Sequence, residues 1–254
     1  MRIVKIGGRA QANPKLSAIL ADAWRVSPGL CVIHGGGDEL SSMQRALGRE
    51  PVFIGGRRVT SEGDLELLRM VLSGLVNKRL VNMLIATGLP AVGISGEDGG
   101  LIAAEPIDKA RLGFAGRPVS INVQILHALS NAGYLPVISP VALDSTSAHG
   151  GALNVNGDDA AAAISSALEA EELLLIADVE GVRDADGEIL SSLNAESARE
   201  LISNGIAEGG MAAKIESAQA ALASGVPIVR ICDLDGLLDD ERGTFITLST
   251  SIAL

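Results

Sequence analysis

The chain alternates short apolar, β-branched segments with amphipathic segments, and glycine-rich turns join them. RIVKI at residues 2–6 precedes a helical pattern at 14–24, and LCVIH at 30–34 precedes a polar helical pattern at 38–47. Strands that alternate with helices in this way are typical of parallel βαβ units. The order therefore predicts an α/β fold built on a mainly parallel sheet.

The rest of the chain varies this pattern. PVFIGGRRVT at 51–60 predicts a hairpin, the helical spacing of 62–87 breaks near Ser73 and Gly74, and 101–119 predicts a short antiparallel ribbon. We expect further strands at 91–95, 134–143, 171–182, 227–233 and 244–248, and helices at 122–131, 158–170, 194–204 and 210–224. A change in texture near Ala170 predicts two lobes, residues 1–170 and 171–254.

Composition excludes several classes of protein. Of 254 residues, 47% are hydrophobic but only five are aromatic, so the core is aliphatic and a base-stacking surface is excluded. The net charge of −11 argues against nucleic-acid binding. The charge is uneven, because residues 1–127 carry 15 basic and 11 acidic side chains, whereas 128–254 carry 5 and 20. Residues 1–127 are therefore expected to bind an anionic small molecule more favourably than residues 128–254.

Two cysteines and the apolar segments bear on the compartment. Cys31 and Cys232 lie inside apolar runs, which predicts buried thiols in a reducing cytoplasm rather than a disulfide framework or a metal site. No apolar stretch approaches the roughly 20 residues that span a bilayer. We therefore expect no membrane association.

Two glycine runs stand where parallel strands are expected to end. KIGG contains Gly7 and Gly8, and HGGG contains Gly35, Gly36 and Gly37. Open α/β sheets bind ligands at this edge, where backbone N–H groups and a helix N-terminus attract anions. Neither run has P-loop or GxGxxG spacing. Tight turns alone would explain one run, but two in the same topological position favour anion binding.

Two lysines are candidates for charge compensation. Lys5 ends an otherwise apolar strand, where it either reaches out to water or points into a cleft beside the glycines. Lys214 follows Glu208-Gly-Gly and is expected in the first turn of a helix, where the helix dipole disfavours a cation. A residue placed at such a cost suggests a function.

Polar residues before the alanine-rich helix, and an arginine pair, complete the candidates. Asn154 and Asn156 alternate in an extended segment and point to one side, Asp158 is placed to hold two lysines, and Asp159 is assigned to helix capping. In the pair Arg57-Arg58, one guanidinium can clamp a carboxylate, but the dipeptide alone does not say which.

Taken in order, these segments resemble the amino acid kinase family, and within it the N-acetylglutamate kinases. The matching motifs extend over the whole chain: KIGG, HGGG, GRRVT, VGISGEDGG, GYLPVISPVA, LNVNGDDAA, IADVEGV, GGMAAK and the pair Gly243-Thr244. The resemblance implies a three-layer αβα sandwich around a mainly parallel sheet, with the amino-acid site in the first lobe and MgATP in the second. It also implies phosphorylation of the γ-carboxylate of N-acetyl-L-glutamate.

The resemblance also implies roles for individual residues. Lys5 and Lys214 would compensate charge on the transferred phosphoryl group, with Asp158 organising both lysines. The glycine runs would hold phosphates and the reacting carboxylate, and Arg58 and the asparagines would bind the rest of the substrate. The residues implied to line the nucleotide pocket are Asp178, Val179, Glu180, Gly181, Val182, Ile206, Ala207 and Glu208. Mg²⁺ would be held mainly by nucleotide phosphates, and His34 would be structural.

Two departures leave the substrate open. Gly157 stands where many N-acetylglutamate kinases have alanine, and LVNKRLV from Leu75 is also similar to carrier-protein-dependent aminoadipate kinases, so a carrier-linked substrate remains an alternative. A non-catalytic nucleotide or amino-acid sensor is a third reading. Because the sequence begins at its first strand, we expect a homodimer without arginine feedback through an N-terminal helix.

Overall fold

Fourteen strands and ten α-helices alternate along the chain in the computed structural model, which describes residues 1–247. The strands are β1 Arg2–Ile6, β2 Leu30–His34, β3 Phe53–Ile54, β4 Arg57–Arg58, β5 Ala91–Ser95, β6 Ile102–Pro106, β7 Ala115–Ile121, β8 Leu135–Ser139, β9 Val141–Asp144, β10 Ala152–Val155, β11 Glu172–Ile176, β12 Ser192–Asn194, β13 Val229–Cys232 and β14 Thr244–Thr247. The last residue of the strand expected at 244–248 lies outside the described residues.

The helices agree with the amphipathic segments of the sequence. They are α1 Gly8–Gln11, α2 Leu16–Val26, α3 Gly37–Ala46, α4 Glu62–Leu68, α5 Asn77–Ala86, α6 Lys109–Leu112, α7 Gln124–Asn131, α8 Gly157–Ala167, α9 Ala195–Ser203 and α10 Gly209–Ala223. A π-helical segment, Arg69–Val76, joins α4 to α5. It occupies the place where the helical spacing breaks near Ser73.

An eight-stranded sheet forms the centre of the molecule. Its order is β12-β14-β13-β11-β1-β2-β8-β5, and every pair is parallel except β13 with β14. The predicted mainly parallel α/β sheet is confirmed. Because β11 pairs with β1 along its whole length, the sheet runs without a break across the predicted lobe boundary at residue 170.

Helices cover both faces of this sheet, which makes three layers. Alternate residues of β1 point to opposite faces, so Val4 and Ile6 pack with α2 and α5, whereas Ile3 packs with α8 and α10. Lys5 points to the α8 side but is the last polar position before the glycines. Its ammonium therefore reaches the carboxyl edge of the sheet.

Two smaller units lie beside the sheet at this edge. Strands β6, β7, β9 and β10 close on one another, and β3 pairs with β4 as an antiparallel hairpin. The ribbon expected at 101–119 is β6 with β7, interrupted by the short helix α6. The segment expected as one strand at 134–143 divides at Pro140 into β8 of the main sheet and β9 of the small unit.

Candidate active site

Two cavities open at the carboxyl edge of the main sheet and share part of their walls. The hairpin cavity, of about 220 Å³, lies beneath the β3–β4 hairpin and includes Lys5, Gly8, Gly35, Gly36, Gly37, Arg57, Arg58, Asn154, Asn156 and Asp158. The helix cavity, of about 470 Å³, lies beside α10 and includes Lys5, Gly7, Gly8, Arg9, Asp38, Asp158, Asp178, Val179, Glu208 and Lys214. Lys5, Gly8 and Asp158 line both cavities.

One buried carboxylate oxygen joins the two lysines at this shared wall. Oδ1 of Asp158 lies 2.8 Å from Nζ of Lys5 and accepts a hydrogen bond of 3.0 Å from Nζ of Lys214. All three side chains are more than nine-tenths buried. Since two cations share one anion, the cluster carries a net positive charge, and this charge faces both cavities.

Burial and mutual attraction set the protonation of this cluster. Burial alone raises the pKa of Asp158, but the two ammonium groups outweigh it and lower the pKa to about 2. Burial and repulsion by Lys5 lower the pKa of Lys214 to about 8, although Asp158 opposes the shift. At neutral pH Asp158 is therefore ionised. Lys214 is still mostly protonated, but its pKa lies only about one unit above neutral pH.

Arg58 is fixed in the wall of the hairpin cavity by acceptors that carry no charge. Its guanidinium donates to Oγ of Ser41 at 2.8 Å, to the Gly37 carbonyl at 2.9 Å and to Oε1 of Gln44, and it lies 4.6 Å from the centre of the Phe53 ring. Burial lowers its pKa below the usual range of arginine, but the group stays protonated. Because its partners are neutral, its charge is left to attract a carboxylate.

The second glycine run meets the N-terminus of α3. Gly36 has a φ of +154°, and a Cβ there would lie 2.4 Å from Cδ2 of Leu72, so only glycine fits. Gly37 is the first residue of α3, and N–H groups of a first helical turn have no acceptor inside the helix. Because Gly36 and Gly37 line the hairpin cavity, this helix N-terminus can attract an anion there.

His34 holds this glycine run from behind. Its Nδ1 lies 2.7 Å from the Gly35 carbonyl oxygen, and its Nε2 lies 3.1 Å from Nδ2 of Asn77. The side chain is fully buried, and burial lowers its pKa to about 4. Neutral His34 therefore donates from Nδ1 and accepts at Nε2, which is a structural role.

Residues 1–233 match the model of the amino acid kinase family. This chain belongs to that family. It is 45% identical over 237 residues to an acetylglutamate kinase of Paracoccus denitrificans, covering 91% of this chain and 76% of the relative. An acetylglutamate kinase of Geobacillus kaustophilus is 39% identical over 231 residues, with 90% and 88% covered. A Streptococcus mutans crystal structure has a TM-score of 0.87 at 28% identity, and 98% of each chain is covered.

The structure brings most of the family's expected site residues to the two cavities. In the hairpin cavity are the glycines 35–37, Arg58, Asn154 and Asn156; in the helix cavity are Gly7, Lys214, Asp178, Val179 and Glu208. Some backbone groups are already engaged, because the Gly7 N–H donates to the Ile176 carbonyl at 3.3 Å and the Gly35 N–H donates to the Ile6 carbonyl at 3.0 Å. Those two amides are not free for an anion, which corrects part of the predicted amide cradle.

Five residues expected to line the nucleotide pocket lie outside the helix cavity. Val182 and Ala207 are buried in the hydrophobic core, and Gly181 packs against Thr244. Glu180 forms a 2.9 Å ion pair with Arg242, while Ile206 is exposed away from the cavity wall. After Glu180 the chain returns to the interior at Gly181 and Val182, so only the first two residues of the 178–182 segment line the cavity.

Two expectations about α8 and α10 need correction. Lys214 is the sixth residue of α10 and therefore lies in the second helical turn, not the first. Asp159 does not cap α8, because Asn156 is the N-cap and accepts from the Asp158 N–H at 2.7 Å. Asp159 instead contacts Arg57 and Ser217.

The sequence analysis missed the residues that fix the ligand-facing side chains. Ser41 and Gln44 hold Arg58, and Oγ1 of Thr60 accepts from Nδ2 of Asn154 at 2.9 Å. Ser41 and Gln44 are three residues apart on α3 and buried, so a polar pair on the buried face of a helix was the available signal.

Gly157 bears directly on Lys5. A Cβ at residue 157 would lie 3.1 Å from Cε of Lys5 and 3.8 Å from its Nζ. Alanine there would press on the lysine stem, so glycine at this position gives Lys5 more room beside Asp158.

Proposed function

We propose that the chain is an ATP-dependent kinase that phosphorylates the γ-carboxylate of N-acetyl-L-glutamate, giving N-acetyl-L-glutamyl 5-phosphate for arginine biosynthesis. The relatives named acetylglutamate kinase, at 38–45% identity over most of the chain, support this substrate. The observation that carries the reaction type is the wall of Lys5, Gly8 and Asp158 between the two cavities. A phosphoryl group that crosses this wall stays beside both lysines.

The proposed reaction needs charge compensation more than it needs a base. An oxygen of the ionised γ-carboxylate forms a bond to the γ-phosphorus, and the bond from that phosphorus to the bridging oxygen of ADP breaks. No proton has to leave the acceptor, so a neutral His34 is no obstacle. Stabilisation comes from preorganised positive groups at the transferring phosphoryl oxygens, which here are Lys5 and Lys214.

In the hairpin cavity, Arg58 would bind the α-carboxylate of the substrate. Asn154 would contact its acylamino group, held by Thr60, while Asn156 would keep the start of α8 in place against the substrate. The amides of Gly36 and Gly37 would then receive the reacting carboxylate. These assignments place the γ-carboxylate deepest, towards Lys5.

The helix cavity would hold ATP through Gly8, Lys214 and the first turn of α10. With no aromatic side chain among its lining residues, adenine would contact aliphatic side chains and backbone. Asp38 and Glu208 line the same cavity, and carboxylates of this kind suit the water ligands of Mg²⁺. The ion would enter on the nucleotide phosphates and neutralise charge on them.

The lobes and the assembly belong to this proposal. Residues 1–170 carry the hairpin cavity and residues 171–247 supply about half of the lining of the helix cavity, although one sheet joins them. A homodimer is supported by exposed apolar side chains on the helical stretch 70–85, at the β5 edge of the sheet: Met70, Leu75 and Ile85. In residues 1–247, no helix is long and apolar enough to cross a bilayer.

A coupled ADP-release assay tests the function. Turnover with free N-acetyl-L-glutamate is expected; turnover only on a carrier-protein conjugate would favour the carrier-linked aminoadipate or glutamate kinase. Nucleotide binding without turnover on either would favour a sensor. Arg58→Lys should raise KM for N-acetylglutamate about 10- to 100-fold, because the planar guanidinium clamps a carboxylate that an ammonium meets at one point. Arg117→Lys, at a surface pair with Glu105, is the matched control.

The pH profile tests the charge on Lys214. Its pKa of about 8 in the free protein means that its positive charge is lost as pH rises through 8. We expect kcat/KM for ATP to fall by about tenfold per pH unit above that value, because this ratio reports groups of the free enzyme. Asp158 stays ionised throughout this range and contributes no second inflection. A flat profile between pH 7 and 10 would contradict the assignment.

A further inference from the structure

Arg57 and Arg58 are neighbours in β4 but point to opposite sides of the hairpin. Arg58 turns towards α3, whereas Nη1 of Arg57 lies 2.5 Å from Oδ2 of Asp159 on α8. Arg57 lines the hairpin cavity and also a rear cavity of about 450 Å³ between β7, α8 and α10. Arg57 therefore lies where the hairpin packs against the rest of the molecule.

Asp159 is bonded through both of its oxygens. While Oδ2 pairs with Arg57, Oδ1 accepts a hydrogen bond of 2.7 Å from Oγ of Ser217. Ser217 follows Lys214 by three residues on α10, so both side chains lie on one face of that helix. Adjacent carboxylates of α8 are thus tied to the same face of α10, Asp158 through Lys214 and Asp159 through Ser217.

The tip of the hairpin also touches the beginning of α10. A Cβ on Gly56 would lie 3.6 Å from the Gly209 carbonyl oxygen and 3.8 Å from Cβ of Ala213. Lys214 is the next residue along the helix. A movement of the hairpin therefore meets α10 in two places, directly at its first turn and through Arg57, Asp159 and Ser217.

We propose that Arg57 is a positioning residue that couples the two cavities. Through Asp159 and Ser217 it sets α10, and with it Lys214, in register with the hairpin that closes on the acid substrate. Binding of the acid then favours the arrangement in which Lys214 meets the nucleotide, and nucleotide binding favours the closed hairpin. The inference rests on the proposed function for its substrates, but not for its geometry.

The pair has the properties that this role requires. The side chains of Arg57 and Asp159 are 33% and 19% exposed, so solvent screens their attraction less than that of a surface pair. Both oxygens of Asp159 are held by these two partners, which fixes the orientation of the carboxylate. Small shifts matter at the other end of the link, because misplacing a catalytic group by about 1 Å can cost on the order of 100-fold in rate.

The coupling is measured as the change in affinity for a non-hydrolysable ATP analogue when saturating N-acetyl-L-glutamate is added. We expect the wild type to bind the analogue more tightly with the acid present, by a factor of about 5 to 150. Arg57→Leu and Asp159→Asn should lower this factor severalfold, with a remainder carried by the direct contact at Gly56, and should lower kcat by about 10-fold. Affinity for either ligand alone should change much less.

Three comparisons separate positioning from general stability. Arg117→Leu removes another arginine of the rear cavity, whose partner is Glu105, and should leave coupling and kcat unchanged. The double variant R57L/D159L should lose no more coupling than R57L alone, because both changes break one link. Arg57→Lys should restore part of it. Wild-type coupling and kcat in Arg57→Leu, whatever its Tm, would overturn the proposal.

A measurement without substrate keeps the inference independent of the proposed function. Amide hydrogen exchange in the segment 209–214 should be faster in Arg57→Leu and Asp159→Asn than in the wild type, and unchanged in Arg117→Leu. If the wild type does not phosphorylate N-acetylglutamate, the proposed function fails and the exchange result still decides the link. Unchanged exchange in both variants would overturn it.

Discussion

Lys214→Ala is expected to lower kcat by about 100- to 1,000-fold, the usual cost of removing one preorganised group that stabilises transition-state charge. The lysine lines the helix cavity, where it contacts Asp158 of the wall between the cavities, and the acceptor carboxylate and the γ-phosphate are both negative. Without its ammonium, Lys5 alone compensates the charge that the transfer concentrates there. The variant should fold, because Asp158 keeps its 2.8 Å contact with Lys5. Steady-state ADP release measures kcat.

Lys214→Arg is the informative comparison. A guanidinium stays protonated well above the range in which Lys214 titrates. The variant should therefore retain more activity than the alanine variant and lose the decline in kcat/KM above pH 8. KM for N-acetylglutamate should change little in either variant, because Lys214 lines the helix cavity and not the hairpin cavity. An unchanged kcat in Lys214→Ala would remove the lysine from the mechanism.

Much of the fold follows from local patterns in the sequence. Apolar runs such as residues 30–33 and 173–176 have no polar face, so they fit only strands covered on both sides, and parallel sheets are covered in that way. The four-stranded unit of β6, β7, β9 and β10 was not predicted. Its existence depends on which strand each segment pairs with, and hydrophobic periodicity contains no information on pairing. The division of one apolar run at Pro140 between the main sheet and this unit also depends on strand pairing, so it was not predicted either.

The residues of the candidate site were also only partly predictable from the sequence. Lys5 is unusual in its local context because it ends an otherwise apolar strand, whereas only the family resemblance distinguished Arg58 from Arg57. The structure brings both residues, with Asp158 and Lys214, to adjoining cavities. Their supports are different, because they come from remote segments. Gln44 and Arg58 are 14 residues apart, and Asp159 and Ser217 are 58 apart. Such pairs are set by tertiary packing.

The mistaken interpretation of Asp159 shows this limit in one residue. An aspartate in the first turn of a helix is a common cap, so capping is the better expectation from sequence. Asn156 is the N-cap because it immediately precedes the first helical turn. Asp159 lies three residues further on, where its side chain faces α10. Only the neighbouring helix and hairpin reveal the second role.

Asp158→Asn is expected to destabilise the fold by about 3–5 kcal/mol, the usual cost of removing one partner from a buried ion cluster. Two buried ammonium groups would then face each other without an anion. Urea unfolding at pH 7 measures the loss of stability. Catalytic activity should also be lost, because neither lysine keeps its place.

The direction of the pH dependence in this variant follows from the same charges. In the wild type, the low pKa of Asp158 means that its stabilising charge is present above its unfolded-state pKa and is lost as pH falls through about 2. Asp158→Asn removes that contribution, and the pKa of Lys214 should fall further because the anion that attracts it within the cluster is gone. Raising the pH then discharges Lys214 in the folded protein, so the stability difference from wild type should shrink between pH 7 and 9.

The double variant D158N/K214M, with one buried cation fewer, should be more stable than D158N and equally inactive. An Asp158→Asn protein as stable as wild type at pH 7 would show that the lysines need no shared anion.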